Sequence, residues 1–574
     1  MMINRIKNNI KKQYIIVFML GVVLSIIYGS KINNVNTVWE LGDEAGYLCN
    51  VAYMAGTDWS DVASVLPYFG YGYSIILIPI FLVSRTGIEL IHGAIFINVI
   101  CVMITYMLEV YVFSKLLKNT NIGMVSFFGF ISVLIPYMTT NTFKVLCEVF
   151  LTMWVWIIAS LLVLTYKMRK WWTYVILGVA TAYIFFIHTR AIIIIVSVII
   201  TISIMLCKRL ISKKNIFIFL FSTAICFGIL YIIKKDIIAY SMHLGENDAR
   251  TDVNMVSSNY IFTRIKWFLA DYPLYIIEFA GKILYLTAST CGVILYGIAG
   301  ICKEIKKQWQ ENGGLSLIIY CYFAISFFVM LAACVLNGAG MDDNFTYLFY
   351  SRYYEYTVLP IIIIGLYNIY FDSNNIITNI IFAFIIISTG IISSMAQTFL
   401  LNTDEIHVDT ARIPGFTHLI MEDTSYRTFI FHITIFCVAV IVIIAIFKMC
   451  FKDKRRCILI ISIFLFLFSN SKDCMNKVFQ SSIDAKADTQ LAAYVTDVCE
   501  NNDVLFVDSD FKWKNYYSRM QVLLKNKKLV VISESEINQN EYFITYLSST
   551  LGNRLEKEGR LVKRGAVFGL YYID

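Results

Sequence analysis

Long apolar blocks recur along almost the whole chain, and they limit what it can fold into. Of its 574 residues, 58% are hydrophobic and only 15% are charged. One soluble core cannot cover that much apolar surface, whereas a bilayer accepts apolar residues in blocks of about 20. The sequence therefore predicts an α-helical polytopic membrane protein.

The distribution of charge and cysteine excludes other classes. The net charge is +8, but Lys and Arg come in short clusters between apolar blocks, as topology-determining residues do. This pattern argues against a nucleic-acid partner. The 14 cysteines are scattered without paired spacing, so neither a disulfide framework nor a zinc site is predicted.

The positive clusters also predict the topology. Basic residues before the first apolar block place the N-terminus in the cytoplasm. The next apolar segment, 62–83, is interrupted by prolines and glycines, and its longest run of about a dozen residues is too short for a span. If this segment lies at the outer surface, all later clusters face the cytoplasm. Those clusters are Lys115/Lys118, Lys167/Arg169/Lys170, Lys208/Arg209/Lys213/Lys214, Lys303/Lys306/Lys307 and Lys452/Lys454/Arg455/Arg456.

Placing segment 62–83 at the outer surface gives about thirteen spans. They lie near 14–30, 91–113, 121–138, 145–165, 171–187, 191–207, 215–233, 279–301, 315–336, 353–370, 376–396, 428–447 and 457–470. Residues 1–470 then form a transmembrane domain with an outer juxtamembrane loop at 31–90.

The odd number of spans places residues 471–574 outside the membrane. There the apolar blocks end, and a helix-like stretch at 488–499 precedes four short β-like runs. These runs are 503–507, 529–532, 542–546 and 567–572. We expect a small extracytoplasmic α/β domain.

Ionisable and tyrosine side chains gather at the outer face on this topology. Ionisable residues at a membrane edge are energetically expensive and are therefore functional candidates. The candidates are Asp43, Glu44, Asp58, Asp61, Lys144, Glu148, His188, Arg190, Asp342, Asp343, Arg352, Tyr353 and Tyr354.

Each candidate also has a structural interpretation. Asp43 could cap the helix that begins after it, and Glu148 could pair with Lys144 four residues earlier. His188 and Arg190 could extend from a helix end toward lipid headgroups. Alternatively, an arginine beside a carboxylate-rich site could bind a phosphate with two parallel hydrogen bonds.

The order of these pieces resembles the GT-C glycosyltransferase superfamily, in particular its protein mannosyltransferase and aminoarabinose transferase branch. The first similar feature is an outer-face Asp-Glu pair with Tyr47 after it, followed by a juxtamembrane segment broken by proline and glycine. The others are Cys147-Glu148 where members often have Ser-Glu, Thr189-Arg190 at a helix end, and Arg352-Tyr353 before a proline-bearing span. The first loop has no Asp-x-Asp, so no divalent metal or other cofactor is implied.

The resemblance implies a multi-pass membrane enzyme that moves a sugar from a polyprenyl-phosphate donor to an extracytoplasmic glycan, lipid or protein, with inversion. The Ile-, Asn- and Lys-rich composition suggests a bacterial cell membrane. Asp43 would be the base, and Glu44 and Glu148 would tune it or position the acceptor. The remaining roles would be donor-phosphate binding by Arg190, Arg352, Tyr353 and Tyr354, and acceptor positioning by Tyr47, His188 and Lys144.

Two alternatives stay open. A polymerase or ligase for lipid-linked polysaccharide would share the location of the site but use a diphosphate-linked donor. A transporter or flippase would do no chemistry, but transporters commonly show internal repeats and place charges near the midplane. The chain has no evident repeat, and its carboxylates lie at one edge, which favours glycosyl transfer.

Overall fold

A computed structural model describes most of the chain, with short gaps. The described residues are 2–39, 41–117, 121–241, 258–311, 313–338, 348–372, 376–399, 413–419, 425–451, 453–499, 501–508 and 516–573. Two of the candidates, Asp342 and Asp343, lie outside them.

Helices make up the membrane region. They are α1 (Met2–Gly29), α2 (Leu41–Met54), α3 (Ser60–Ala63), α4 (Gly72–Val83), α5 (Gly87–Leu116), α6 (Ile122–Ser132), α7 (Pro136–Thr142), α8 (Glu148–Met168), α9 (Trp171–Ile187), α10 (Ile192–Cys207), α11 (Lys213–Ser241), α12 (Ser258–Ala270), α13 (Tyr272–Ser289), α14 (Val293–Gln310), α15 (Leu315–Gly338), α16 (Leu359–Phe371), α17 (Ile376–Ser394), α18 (Ala396–Phe399), α19 (Tyr426–Cys450) and α20 (Asp453–Asp484).

The described part of the chain contains nine helices long and apolar enough to cross a membrane, or up to eleven if each of two bent pairs is one span. Three shorter apolar helices, α4, α9 and α16, accompany them, and α9 and α16 lie where two further spans were predicted. The interrupted segment 62–83 forms only the 12-residue α4. The protein is therefore a multi-pass helical membrane protein, as the sequence predicted.

Two of the predicted spans contain sharp breaks. Helices α6 and α7 meet at 64° at Pro136, which has no backbone N–H to continue the earlier helix. Helices α13 and α14 meet at 106°, where Cys291 and Gly292 both have a positive φ. The left-handed conformation ends the helix there. Hydropathy does not reveal these breaks because the residues on both sides are apolar.

The C-terminal part contains a five-stranded sheet. Its elements are α21 (Lys486–Val498), β1 (Asp503–Val507), α22 (Ser518–Leu523), β2 (Lys528–Ile532), β3 (Glu541–Tyr546), α23 (Thr550–Lys557), β4 (Leu561–Arg564) and β5 (Phe568–Ile573). The strand order is β2-β1-β3-β5-β4, with β1 parallel to β2 and β3 and with β5 antiparallel to β3 and β4.

Four of these strands match the predicted ones to within one residue at each end. The sequence missed β4 because most of its side chains are exposed and two are charged. The proposed domain boundary at residue 471 falls inside α20, which continues without a break to Asp484.

The sheet packs against the loop that follows α2. The Lys528 ammonium lies 2.9 Å from an Asp58 oxygen and 3.3 Å from an Asp61 oxygen. Between these aspartates, the fully buried Trp59 donates from its indole nitrogen to the carbonyl oxygen of Lys525 at 3.3 Å. The C-terminal part therefore stabilises the loop beside α2, and both aspartates of that loop pair with Lys528 of the C-terminal part.

Candidate active site

Four separate chain segments converge at one end of the helices. Asp43 lies in the first turn of α2, and Glu148 is the first residue of α8. Arg190 lies in the turn between α9 and α10, and Arg352 precedes α16. Helix α8 leads away from this end and α9 returns to it, which brings Glu148 and Arg190 together. All four side chains meet here although they are distant in sequence.

The four side chains form one ion-pair network. The Nη2 of Arg352 donates to an oxygen of Asp43, and its Nε lies 3.1 Å from Oε1 of Glu148. The Nη2 of Arg190 donates to the same Glu148 oxygen at 2.9 Å. The exposed fraction of the side chain is 2% for Glu148 but 24% for Asp43. Two cations and two anions balance, and this pairing is what makes burial of the charges tolerable.

Two donor nitrogens of Arg190 stay unused within the described part of the chain. Among the described residues, its buried Nε and Nη1 have no hydrogen-bond partner. Its guanidinium carbon lies 4.9 Å from the ring centre of Tyr353 and 5.7 Å from that of Tyr356. A buried donor without a partner is destabilising by about 1–3 kcal/mol, so such groups commonly mark a place where a ligand or water binds.

The backbone that presents Arg190 is held by the segment before α4. The Nδ1 of His188 accepts from the amide of Arg190 at 3.2 Å, and the His188 ring stacks on Phe69 with centres 5.0 Å apart. A Cβ on Gly70 would lie 2.5 Å from the carbonyl oxygen of Phe186, so this approach requires glycine. His188 thus contacts the backbone of the arginine and is close to the network.

Glu44 is held by backbone amides. Its Oε1 accepts from the amide of Val145 at 2.5 Å, and its Oε2 accepts from the amide of Trp39. The Lys144 ammonium lies 4.2 Å from the ring centre of Trp39. These contacts join the start of α2 to the segment before α8 and favour a structural role for Glu44.

Of the remaining predicted residues, Tyr47 and Tyr353 lie at the network and Tyr354 lies away from it. The hydroxyl of Tyr47 is 2.9 Å from the sulfur of Cys147, beside the start of α8. Tyr353 stacks on the arginines, whereas the fully buried Tyr354 has its ring centre 6.0 Å from the ammonium of Lys282. Tyr354 therefore belongs to a second polar cluster on α13.

The sequence did not lead us to predict that second cluster. It contains Glu278 and Lys282, whose charged atoms are 2.9 Å apart, and Glu355. An acid and a base four residues apart inside an apolar block were an available signal, because ionisable residues in spans are rare. Among the described residues, no group of three or more His, Cys, Asp and Glu side chains is placed to hold a metal ion.

The fold is the predicted GT-C type, because the chain matches a solved ArnT structure over almost its whole length. The chain is similar to the crystal structure of ArnT from Cupriavidus metallidurans bound to undecaprenyl phosphate, with a TM-score of 0.50, 9% identity and 97% of both chains covered. The apo form of ArnT gives a TM-score of 0.48, 11% identity and the same coverage.

A further similar structure is the archaeal oligosaccharyltransferase AglB from Archaeoglobus fulgidus, in complex with an inhibitory peptide and a dolichol-phosphate. Its TM-score is 0.45 and its identity 9%, with 93% of this chain and 69% of that chain covered. No protein-family model and no curated protein matches the sequence.

Proposed function

We propose that the protein is a membrane glycosyltransferase that moves a sugar from a polyprenyl-phosphate donor to an acceptor at the outer membrane face. The observation that carries this proposal is Arg190 beside the Asp43–Arg352–Glu148 network, because two of its buried donor nitrogens have no partner in the part of the chain that the structure describes. The ArnT structure of similar fold holds undecaprenyl phosphate, which is a ligand of the same chemistry.

The arginines suit the leaving phosphate. Arginine binds phosphate through two parallel N–H groups, and charge-assisted hydrogen bonds of this kind are about twice as strong as neutral ones. In the proposed reaction, Arg190 and Arg352 stabilise the negative charge that develops on the phosphate as it departs. The Tyr353 ring supports both guanidinium planes, with its centre 4.9 Å and 5.6 Å from their carbons.

Asp43 is the better placed of the two network carboxylates to act as general base. Its side chain is 24% exposed, whereas that of Glu148 is 2% exposed and holds both arginines. An acceptor hydroxyl transfers its proton to Asp43 as its oxygen bonds to the anomeric carbon. The bond from that carbon to the phosphate oxygen breaks, and the phosphate leaves with the electron pair. Direct attack from the opposite face inverts the anomeric centre.

The proposed orientation follows from charge. The network lies at the end of the bundle opposite the clusters of Lys and Arg, and such clusters face the cytoplasm. We therefore infer that the site, the loop 31–90 and the domain 471–574 lie outside the cell membrane, and that the N-terminus lies inside. The acceptor is then an envelope glycan, lipid or protein.

Mass spectrometry of lipid-linked sugars tests this proposal. Cells lacking the protein should accumulate a polyprenyl-monophosphate sugar and lose one surface glycan modification. The wild-type chain should restore both, and the Asp43→Asn chain should restore neither. Accumulation of a diphosphate-linked oligosaccharide would instead support a polysaccharide ligase. An unchanged set of lipid-linked sugars and surface glycans would contradict the proposal.

A further inference from the structure

The segment that carries Arg352 lies between two polar clusters. Arg352 belongs to the ion-pair network and Tyr353 packs on its arginines, whereas the residues on either side of them contact α13. The segment forms one short 3-10 turn, and α16 begins only at Leu359. Two backbone amides within the segment donate to the carbonyl oxygen of Ser351, and side-chain contacts from α13 add to this restraint.

Glu355 is the first of these contacts. Its Oε2 accepts from the Ser351 hydroxyl at 2.6 Å, and its Oε1 accepts from the Tyr285 hydroxyl of α13 at 3.2 Å. The Tyr285 oxygen in turn accepts from the amide of Gly415 at 3.1 Å. Glu355 is only 4% exposed, so it joins Ser351, which directly precedes Arg352, to α13 and to a distant loop.

Lys282 is the second contact. Its ammonium donates to the carbonyl oxygen of Tyr350 at 3.3 Å, and it pairs with Glu278 at 2.9 Å. Both charged side chains are at most 5% exposed. Replacing a buried ion pair by apolar residues is often neutral or stabilising, so such a pair is weak evidence for a role in stability alone.

We propose that Glu355 and Lys282 are positioning residues that hold Arg352 in the orientation that binds the donor phosphate. This inference rests on the proposed function. Lys282 holds the backbone carbonyl of Tyr350, and Glu355 holds the side chain of Ser351, so the two residues just before Arg352 are both restrained. Small displacements of a positioned group are known to cause large losses in catalysis and binding.

The structure supplies a conservative variant for the test. Glu355 supplies two acceptor oxygens to these contacts. Glutamine keeps its size and can accept and donate hydrogen bonds, whereas leucine can do neither. Glu109 is a matched control, because it is fully buried and accepts from the Ser132 hydroxyl at 2.8 Å, remote from Arg352.

The experiment measures binding of undecaprenyl phosphate to the purified full-length protein in detergent. We expect Glu355→Leu to weaken binding about tenfold, in line with the loss of a buried hydrogen bond. Glu355→Gln should recover most of this loss. Glu109→Leu should lower thermal stability but leave the dissociation constant unchanged. If Glu355→Leu does not fold, Tyr285→Phe removes the hydroxyl that donates to Glu355 and accepts from Gly415, and it should weaken binding severalfold.

A double-mutant cycle separates positioning from general destabilisation. If Glu355 acts through Arg352, then Glu355→Leu should have little further effect on binding when Arg352 is already lysine. Additive losses, or an unchanged dissociation constant in Glu355→Leu and Tyr285→Phe, would overturn the positioning role. Failure of the wild-type protein to bind undecaprenyl phosphate would instead overturn the proposed function on which this role rests.

Discussion

Arg352 donates a hydrogen bond to Asp43, although the two residues are 309 positions apart in the chain. The contact joins the start of α2 to the segment before α16. In the proposed reaction it also places the group that receives the proton beside a group that binds the leaving phosphate. Attack and departure then occur within one connected network of charges.

Asp43→Asn should abolish most transfer without unfolding the protein. Asparagine has nearly the same size and keeps an acceptor oxygen for Arg352, but it cannot take a proton. We expect the turnover number to fall at least about a hundredfold. Turnover can be measured with a polyprenyl-phosphate sugar and membranes containing the acceptor.

Asp61→Asn is the matched control, because Asp61 lies in the outer loop but pairs with Lys528. It should keep near-normal turnover. Near-normal turnover in Asp43→Asn would remove Asp43 from the mechanism.

Arg352→Lys should weaken donor use although it keeps the positive charge. A lysine ammonium is a point charge and cannot bridge Asp43 and Glu148 as the forked guanidinium does. The lost charge-assisted hydrogen bond is worth about 1.5–3 kcal/mol, or about ten- to a hundredfold in donor affinity or rate.

Arg456→Lys provides the control for Arg352→Lys. Arg456 is a buried arginine at the other end of the bundle that donates to the carbonyl oxygens of Tyr370 and Asp372 at 2.9 Å. It should change stability but not donor kinetics. Wild-type donor kinetics in Arg352→Lys would assign Arg352 a structural role.

Glu44→Gln should destabilise the protein more than it slows the reaction. Both oxygens of Glu44 accept from backbone amides, whereas glutamine has only one acceptor oxygen. Leaving one buried amide without an acceptor should lower the free energy of unfolding by about 1–3 kcal/mol. Thermal unfolding in detergent measures this change. A large fall in turnover with unchanged stability would instead return Glu44 to the catalytic group.

The sequence predicted the helical spans, the fold class and most of the strands because each depends on local patterns. Hydrophobicity and turn residues report such patterns directly. The gathering of candidate side chains at one edge also followed from helix order. The pairings of these side chains did not follow from helix order. Asp43 pairs with Arg352, and Glu44 accepts from backbone amides, because of packing between distant segments.

The membrane orientation can be tested by cysteine labelling in intact cells. An impermeant thiol reagent should label Asn553→Cys on α23 before permeabilisation, and Lys213→Cys at the start of α11 only afterwards. Both positions are exposed in the structure. The background for both should carry Cys499→Ser, because Cys499 is a partly exposed thiol of the C-terminal part.

The native cysteines supply an internal control for this labelling. The exposed Cys207, Cys302, Cys450 and Cys457 all lie toward the end of the bundle that we assign to the cytoplasm. They should react only in permeabilised cells. Labelling of Lys213→Cys but not Asn553→Cys in intact cells would reverse the orientation and place the site inside.

Arg190 gives the most direct test of phosphate binding, because its Nε and Nη1 have no hydrogen-bond partner among the described residues. If these donors bind the donor phosphate, Arg190→Gln should weaken binding of undecaprenyl phosphate by at least about tenfold. Arg190→Lys should recover only part of the loss, since lysine keeps the charge but not the fork. Lys234→Gln is the control, because Lys234 is a buried cation near the rings of Tyr68 and Phe185, outside the network. Equal binding by wild type and Arg190→Gln, measured at two salt concentrations, would contradict this prediction. The two donors would then bind a water molecule and not the donor phosphate.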